Sequence, residues 1–441
     1  MNDLTLSRRP LAWIERLWSS IADRGQPYAD VPAESVPPLE RARQLAAALL
    51  TGRGEASGAA LSRELLHVLA DLSPEDRLQF CRDIATSYLP DADALREAAT
   101  AYLAEPSPAN ATRLADTAEP PRQELLRRIN QGQGGTAALV ALRKEMLPAL
   151  RGTPDLAALD ADLRHLFTSW FNRGFLELRR IDWNTPAAVL EKLIVYEAVH
   201  EIDGWSDLRR RLAADRRCFA FFHPALPGEP LIFVEVALVL GLSDAVQPLL
   251  APDTDLAAQR ARAAAADTAI FYSISNCQDG LRGISFGNFL IKQVVEELKA
   301  ELPQLSRFAT LSPVPGFRRW LTRQEGLPEL PDAEPPAEDQ RDALLALCAR
   351  YLTHSEPGRP PADPVARFHL GNGARLERIN WRGNLAARGL AESGGIMVNY
   401  LYDPDSIEAN HEAFARAGTV ARGVEVDALL EPKPIRKRAR G

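Results

Sequence analysis

Residues 268–300 read TAIFYSISNCQDGLRGISFGNFLIKQVVEELKA. The first eight, Thr268 to Ser275, are mostly β-branched, aromatic or small, which suits a buried strand. The last twelve, from Phe289, set Leu290, Val294 and Leu298 on one face of a helix. Between them, Gly280, Gly283 and Gly287 let the backbone come close to a ligand, and the unpaired amides at the helix start point positive charge at an anion. Arg282 adds a fixed cation able to bond phosphate oxygens in pairs. The spacing matches neither the dinucleotide fingerprint nor the Gly-Lys-Ser/Thr of a Walker loop. The stretch is thus a strand-to-helix unit of α/β type with either a phosphate site or a plain turn at its centre.

A second pattern overlaps it. Gly283-Ile-Ser285-Phe-Gly287 satisfies the Gly-x-Ser-x-Gly of a hydrolase elbow, and Asp363 and His369 follow in the chain order Ser, Asp, His. A true elbow turns at the serine itself, whereas here Asn276 to Arg282 separate strand from motif, and no His-Gly-Gly-Gly stretch supplies an oxyanion loop.

Outward from this segment, candidate strands are Cys218 to Phe222, Leu231 to Leu238, Phe308 to Ser312, Ala366 to Leu370 and Ile396 to Tyr400. Helical patterns alternate with them, and two Pro-rich acidic loops, Leu327 to Glu338 and Ser355 to Pro364, flank a helix with Leu344, Leu345, Leu347 and Leu352. Before about residue 170 the chain is rich in Ala, Leu, Arg and Glu at helical spacing, as in Leu61, Leu65, Leu66 and Leu69. Ser73-Pro74-Glu75-Asp76 marks one helix start, and breaks fall at Pro90, Pro106-Ser-Pro108 and Pro120-Pro121. Composition changes between Phe171 and Thr185. The expected organisation is a helical bundle over 1–173, a mixed α/β domain over 174–430 and a basic, disordered tail over 431–441.

At 441 residues the chain exceeds what one core usually serves. A formal charge of -7 argues against a nucleic-acid-coating protein or a polybasic membrane binder. Cys81, Cys218, Cys277 and Cys348 are far apart and form no Cys-x-x-Cys pair, so neither a zinc site nor a disulfide framework is signalled, and a reducing cytoplasm fits. The longest apolar run, Leu231 to Leu240, contains Glu235 and is far short of the roughly 20 residues of a membrane span. Near the start, Leu11, Trp13, Ile14, Leu17, Trp18 and Ile21 form an amphipathic face; Asp3, Glu15 and Asp23 favour a docking helix over an organelle presequence.

Three isolated residues could carry chemistry. His369 lies in an apolar pattern read as a strand that ends in Gly371-Asn-Gly373, a rigid place from which to aim an imidazole. Ser312 ends a strand before Pro313-Val-Pro315-Gly316, and His223 precedes Pro224. Each also reads as a structural residue, and periodicity does not choose among them. His67 and His165 sit alone in helical patterns and read as packing or surface residues.

The motifs around these residues resemble the malonyl-CoA decarboxylase family. They are His223-Pro-Ala-Leu-Pro-Gly-Glu-Pro-Leu231, Ala269-Ile-Phe-Tyr-Ser-Ile-Ser275, Leu311-Ser-Pro-Val-Pro-Gly-Phe317, Phe368-His-Leu370 with Asn372-Gly-Ala374, Arg378-Ile-Asn-Trp381 and Met397-Val-Asn-Tyr400. The resemblance implies a helical N-terminal domain used in oligomer assembly, then an acetyltransferase-like (GNAT) catalytic domain. It implies that the loop Arg282, Gly283, Ile284, Ser285, Phe286, Gly287 and Asn288 holds the CoA pyrophosphate through backbone amides, which makes the elbow at Ser285 coincidental. It further implies Ser312 and His369 as the catalytic pair, with Tyr402 near them. Malonyl-CoA would be the substrate, acetyl-CoA and CO2 the products. The thioester carbonyl can accept the electrons released, so no PLP, biotin, thiamine or metal cofactor is expected. A homo-oligomer without nucleic-acid or membrane partners follows; Ala and Arg usage favours a bacterial cytoplasm over a mitochondrion, and the final residues are not a Ser-Lys-Leu-type address. Other classes compatible with the residues are an acyl-CoA-dependent acyltransferase of the same fold, a serine hydrolase using Ser285, and a CoA-binding regulatory module.

Overall fold

The computed structural model describes residues 17, 19–51, 54–284, 290–324, 330–331, 333–353 and 361–431. Backbone contacts divide the chain into two compact units. One comprises the chain up to Phe175 together with His223–Pro227 and Gln278–Phe286; the other comprises Leu176–Phe222, Gly228–Cys277 and the chain from Gly287 onward.

The first unit is helical. Its helices include Pro38–Leu50, Glu55–Asp71, Pro74–Ser87, Ala92–Ala104, Pro108–Ala118, Pro121–Gln131, Gly135–Met146 and Asp155–Trp170. Prolines stand in the first turn of four of them, where no amide is missed, and Ser73, Asp91 and Ser107 cap three with their side chains. Leu45, Leu65, Phe80, Leu126, Leu163 and Phe167 are among the residues of its core. The start of the expected docking helix lies outside the described residues, but residues 19–25 are helical.

The second unit is built on a mixed eight-stranded sheet. Its strands are β1 (Glu177–Ile181), β2 (Arg216–Phe222), β3 (Pro230–Val239), β4 (Thr268–Asn276), β5 (Arg307–Thr310), β6 (Ser312–Pro313), β7 (Arg375–Asn380) and β8 (Met397–Leu401). The order is β1-β2-β3-β4-β5-β8-β6, with β7 also paired to β8. β1 to β4 are antiparallel in sequence; β4 and β5 are parallel, joined through the helix Leu290–Glu301 as a parallel pair requires. The expected helical part followed by a mixed α/β domain is therefore what the chain forms.

One feature of this sheet positions the site. β4 and β5 pair only from Thr268↔Arg307 to Phe271↔Thr310. Beyond Phe271, β4 continues to Asn276 while the other chain turns away at Leu311, and Ser312 pairs with Val398 of β8. The two parallel strands part, and the gap between them is open for a ligand.

Two expectations differ from the fold. Ala366 to Leu370 is not a strand but part of the helix Pro364–Gly371. Asp363 accepts from the amides of Val365 and Ala366 and Pro364 fills the first turn, a helix start that outweighs apolar alternation over five residues. Within it Ala366, His369 and Leu370 are buried and Arg367 and Phe368 exposed, which is helical spacing. The segment Phe308 to Ser312 is interrupted at Leu311, where the strand leaves β4. The charged strands β1 and β7 were not expected at all.

Candidate active site

A cavity of about 270 Å³ lies where β4 and β5 separate. Phe271, Ile274, Leu311 and Pro313 give it apolar walls, and Ser312 and His369 also line it. His369 comes from the last turn of the helix Pro364–Gly371 and is 3% exposed. Its ring stacks on Tyr400 at 4.6 Å and meets Phe368 edge-on at 5.1 Å.

The polar atoms form a chain. Tyr402 Oη lies 2.7 Å from His369 Nδ1, and His369 Nε2 lies 3.1 Å from Ser312 Oγ. Ser312 Oγ donates to Thr310 Oγ1 at 2.8 Å. With its proton used there, Ser312 accepts from Nε2–H, which leaves Nδ1 to accept from the Tyr402 hydroxyl. Burial pushes the His369 pKa down to about 3, so the ring is neutral at pH 7. The same burial drives the Tyr402 and Tyr400 hydroxyls well above their ordinary range.

A ring of buried polar residues holds these atoms. Thr310 Oγ1 also accepts from the Tyr400 amide at 3.2 Å. Asn399, fully buried, donates to the Thr310 carbonyl at 2.8 Å and accepts from Asn380 at 2.9 Å. Asp363 joins the serine and histidine segments: besides capping the histidine helix, its Oδ2 accepts from the Gly316 amide and the Tyr351 hydroxyl, each at 3.3 Å. Burial raises its pKa, an effect opposed by the amides of Ala366, Gly316 and Val365. Gly316 belongs to the turn after Ser312, and a Cβ there would lie 2.1 Å from the Tyr351 hydroxyl.

Of the residues expected from the sequence, Ser312, His369 and Tyr402 are brought together. Asp363 is near them but does not touch the imidazole, so the Ser, Asp, His order of a hydrolase does not form its histidine–aspartate bond. Ser285, Phe286, Gly287 and Asn288 lie outside the described residues. Arg282, Gly283 and Ile284 belong to the helical unit. There Arg282 pairs with Asp279 at 2.9 Å, Gly283 has a φ of +81°, and Ile284 is buried. His223 packs on Phe171 at 4.7 Å and accepts from the Ala225 amide through Nδ1, a turn-building role. His67 and His165 are exposed. Thr310, Asn399 and Asn380 were not singled out as site residues, and Asp363 only as the acid of the hydrolase order. Asn399 carried a signal, since an asparagine among Met397, Val398 and Tyr400 must find partners once buried.

The family model for the malonyl-CoA decarboxylase C-terminal domain matches residues 174–334 and 327–440. The model for the corresponding N-terminal domain matches residues 88–171. The chain belongs to the malonyl-CoA decarboxylase family. Malonyl-CoA decarboxylase, mitochondrial, of Anser anser anser is 37% identical over 67% of this chain and 66% of its own length. The mouse protein of that name is 36% identical over 76% of this chain and 75% of its own. The crystal structure of malonyl-CoA decarboxylase from Rhodopseudomonas palustris superposes with a TM-score of 0.80 at 48% identity, covering 88% of this chain and 99% of that one. The one from Agrobacterium vitis gives 0.79 at 49% identity, covering 89% and 100%. Among the described residues, no helix is long and apolar enough to cross a membrane.

Proposed function

We propose that this protein converts malonyl-CoA to acetyl-CoA and CO2, with Ser312 and His369 acting on the malonyl group. The observation that carries this reading is the Ser312–His369 pair, 3.1 Å apart in the lining of the cavity between β4 and β5. Arg282 to Asn288 are proposed to hold the CoA pyrophosphate, mainly through backbone amides.

In the proposed reaction the bond between the α-carbon and the carboxylate breaks. Its electron pair moves onto the thioester carbonyl as an enolate, and CO2 leaves. Because the thioester is itself the electron sink, the chain's own residues need only orient the carboxylate, stabilise the enolate and deliver a proton. Ser312 binds the carboxylate by turning its hydroxyl proton from Thr310 Oγ1 to a carboxylate oxygen. The apolar walls disfavour that charge and so favour neutral CO2. His369 is neutral in the empty pocket; the entering carboxylate is an opposite charge that favours its imidazolium. As CO2 departs, the imidazolium gives its proton to the α-carbon and returns to the neutral form, one solvent proton being consumed per turnover. Tyr402 holds Nδ1 throughout and fixes the ring's direction.

An oligomer and a bacterial cytoplasmic location are part of the same proposal. Support for assembly comes from the hairpin Ala92–Ala104 and Pro108–Ala118, which buries only Ala98 and leaves Leu103 80% exposed. The location rests on composition and on the bacterial relatives among solved structures.

The test is substitution. His369→Asn and Ser312→Ala are expected to lower kcat by about 10²- to 10⁴-fold while CoA binding persists. A fully active His369→Asn enzyme would remove the histidine from the mechanism.

A further inference from the structure

Within the helical unit, Lys144, Leu147, Pro148, Arg151, Asp279 and Arg282 line a cleft of about 460 Å³. Three cations face one carboxylate. Asp279 is shared, at 2.9 Å by Arg282 and at 3.7 Å by Lys144, while Arg151 has no ion pair among the described residues. The surplus is positive, and the apolar side chains of Leu147 and Pro148 form part of the wall.

The cleft has a built foundation. Arg143, 1% exposed and paired with Asp160 at 2.8 Å, donates through Nη1 to the carbonyls of Gly280 at 2.6 Å and Arg282 at 3.0 Å. Gly280 lies so close to the helix Gly135–Met146 that a Cβ would stand 2.0 Å from the Val140 carbonyl. One buried guanidinium and one close backbone approach therefore fix Asp279 and Arg282 against the helix that carries Lys144.

We propose that this cleft receives the 3′-phosphate of CoA, so that the helical unit takes part in recognising the substrate. The inference rests on the proposed CoA reading and extends it. CoA carries two separate anionic groups, a diphosphate and a 3′-phosphomonoester. The diphosphate is assigned to the loop amides, which leaves the monoester, with a charge of about −1.5 to −2, for a cluster of cations beside that loop. Arg151 and Arg282 can form paired bonds to its oxygens, Lys144 acts as a point charge, and Leu147 and Pro148 pack against the apolar part of the nucleoside.

Calorimetric binding of CoA and of 3′-dephospho-CoA to the full chain tests this without turnover. Wild type is expected to favour CoA by roughly ten- to a hundredfold, the worth of one or two charged hydrogen bonds. In Arg151→Ala and Lys144→Ala/Arg151→Ala that ratio falls toward one, while 3′-dephospho-CoA binds as it does to wild type, which also reports an intact fold. An unchanged ratio in the variants, or equal loss of both ligands, overturns the assignment. Tight binding of adenosine 3′,5′-bisphosphate with no preference for CoA over its dephospho form would give the cleft to a free nucleotide and likewise overturn it. A protein that discriminates between the two CoA forms yet fails to decarboxylate malonyl-CoA would contradict the proposed reaction and leave this cleft assignment standing.

Discussion

His369 is where sequence, burial and chemistry meet. A pKa of about 3 in the folded chain lies below the ordinary histidine value of about 6.5. As pH falls, the unfolded chain therefore takes up this proton first. The stability tied to neutral His369 is complete above about pH 6.5 and is lost toward pH 3, by about 1.4 kcal/mol per pH unit. Urea midpoints at pH 7 and pH 5 check this: the drop is expected to be smaller in His369→Gln than in wild type. The same pKa shapes the kinetics. If the reactive complex carries imidazolium and the free enzyme does not, kcat/KM falls about tenfold per pH unit between about pH 6 and 8, while kcat holds until the pKa of the complex is reached. A kcat/KM independent of pH over that range would contradict proton uptake on binding. Individually, Ser312 and His369 were not legible as catalytic from periodicity; only the motifs around them singled them out. Thr310 and Asn399 stayed hidden because their role is to satisfy buried partners that only the folded sheet brings near.

At the scale of elements, the site depends on how two short segments are joined. Asp363 caps the histidine helix with one carboxylate oxygen and holds the serine turn through Gly316 with the other. Asp363→Ala removes both. Loss of the cap alone costs about 0.5–2 kcal/mol, so a lower melting temperature is expected along with a lower kcat. Asp363→Asn keeps a capping oxygen and is expected to recover most of the stability but less of the activity, since an amide nitrogen facing the Gly316 amide cannot accept. Equal stability of Asp363→Ala and wild type would refute the coupling. The helix reads as a strand from its sequence because Ala366 to Leu370 alternate apolar and polar over five residues, while Asp363-Pro364, a helix start, falls in a Pro-rich acidic stretch with the composition of a loop. The apolar strands β2, β3 and β4 were legible, being buried on both faces. β1 and β7 were not, since Glu177-Leu-Arg-Arg-Ile181 and Arg375-Leu-Glu-Arg-Ile-Asn380 become strands by pairing with β2 and β8.

Across the whole molecule, the change of composition near Phe171 gave a linear division, but the fold is not linear. His223–Pro227 and Gln278–Phe286 cluster with the helices. For the second segment the cause is Arg143, a residue more than a hundred positions away whose buried guanidinium takes two of its carbonyls. No local pattern announces such a contact. Assembly is a property of the same scale: light scattering is expected to give a mass that is a multiple of the 48.5 kDa chain, and a monomer at working concentration would contradict the proposed oligomer. The reaction itself is tested most directly by incubating purified protein with malonyl-CoA in D2O, with no acceptor or added cofactor, and resolving thioesters and gas by mass spectrometry. Acetyl-CoA carrying one deuterium per turnover, with equimolar CO2, is the expected result. Free CoA with malonate, or malonyl-CoA left unchanged, would contradict it.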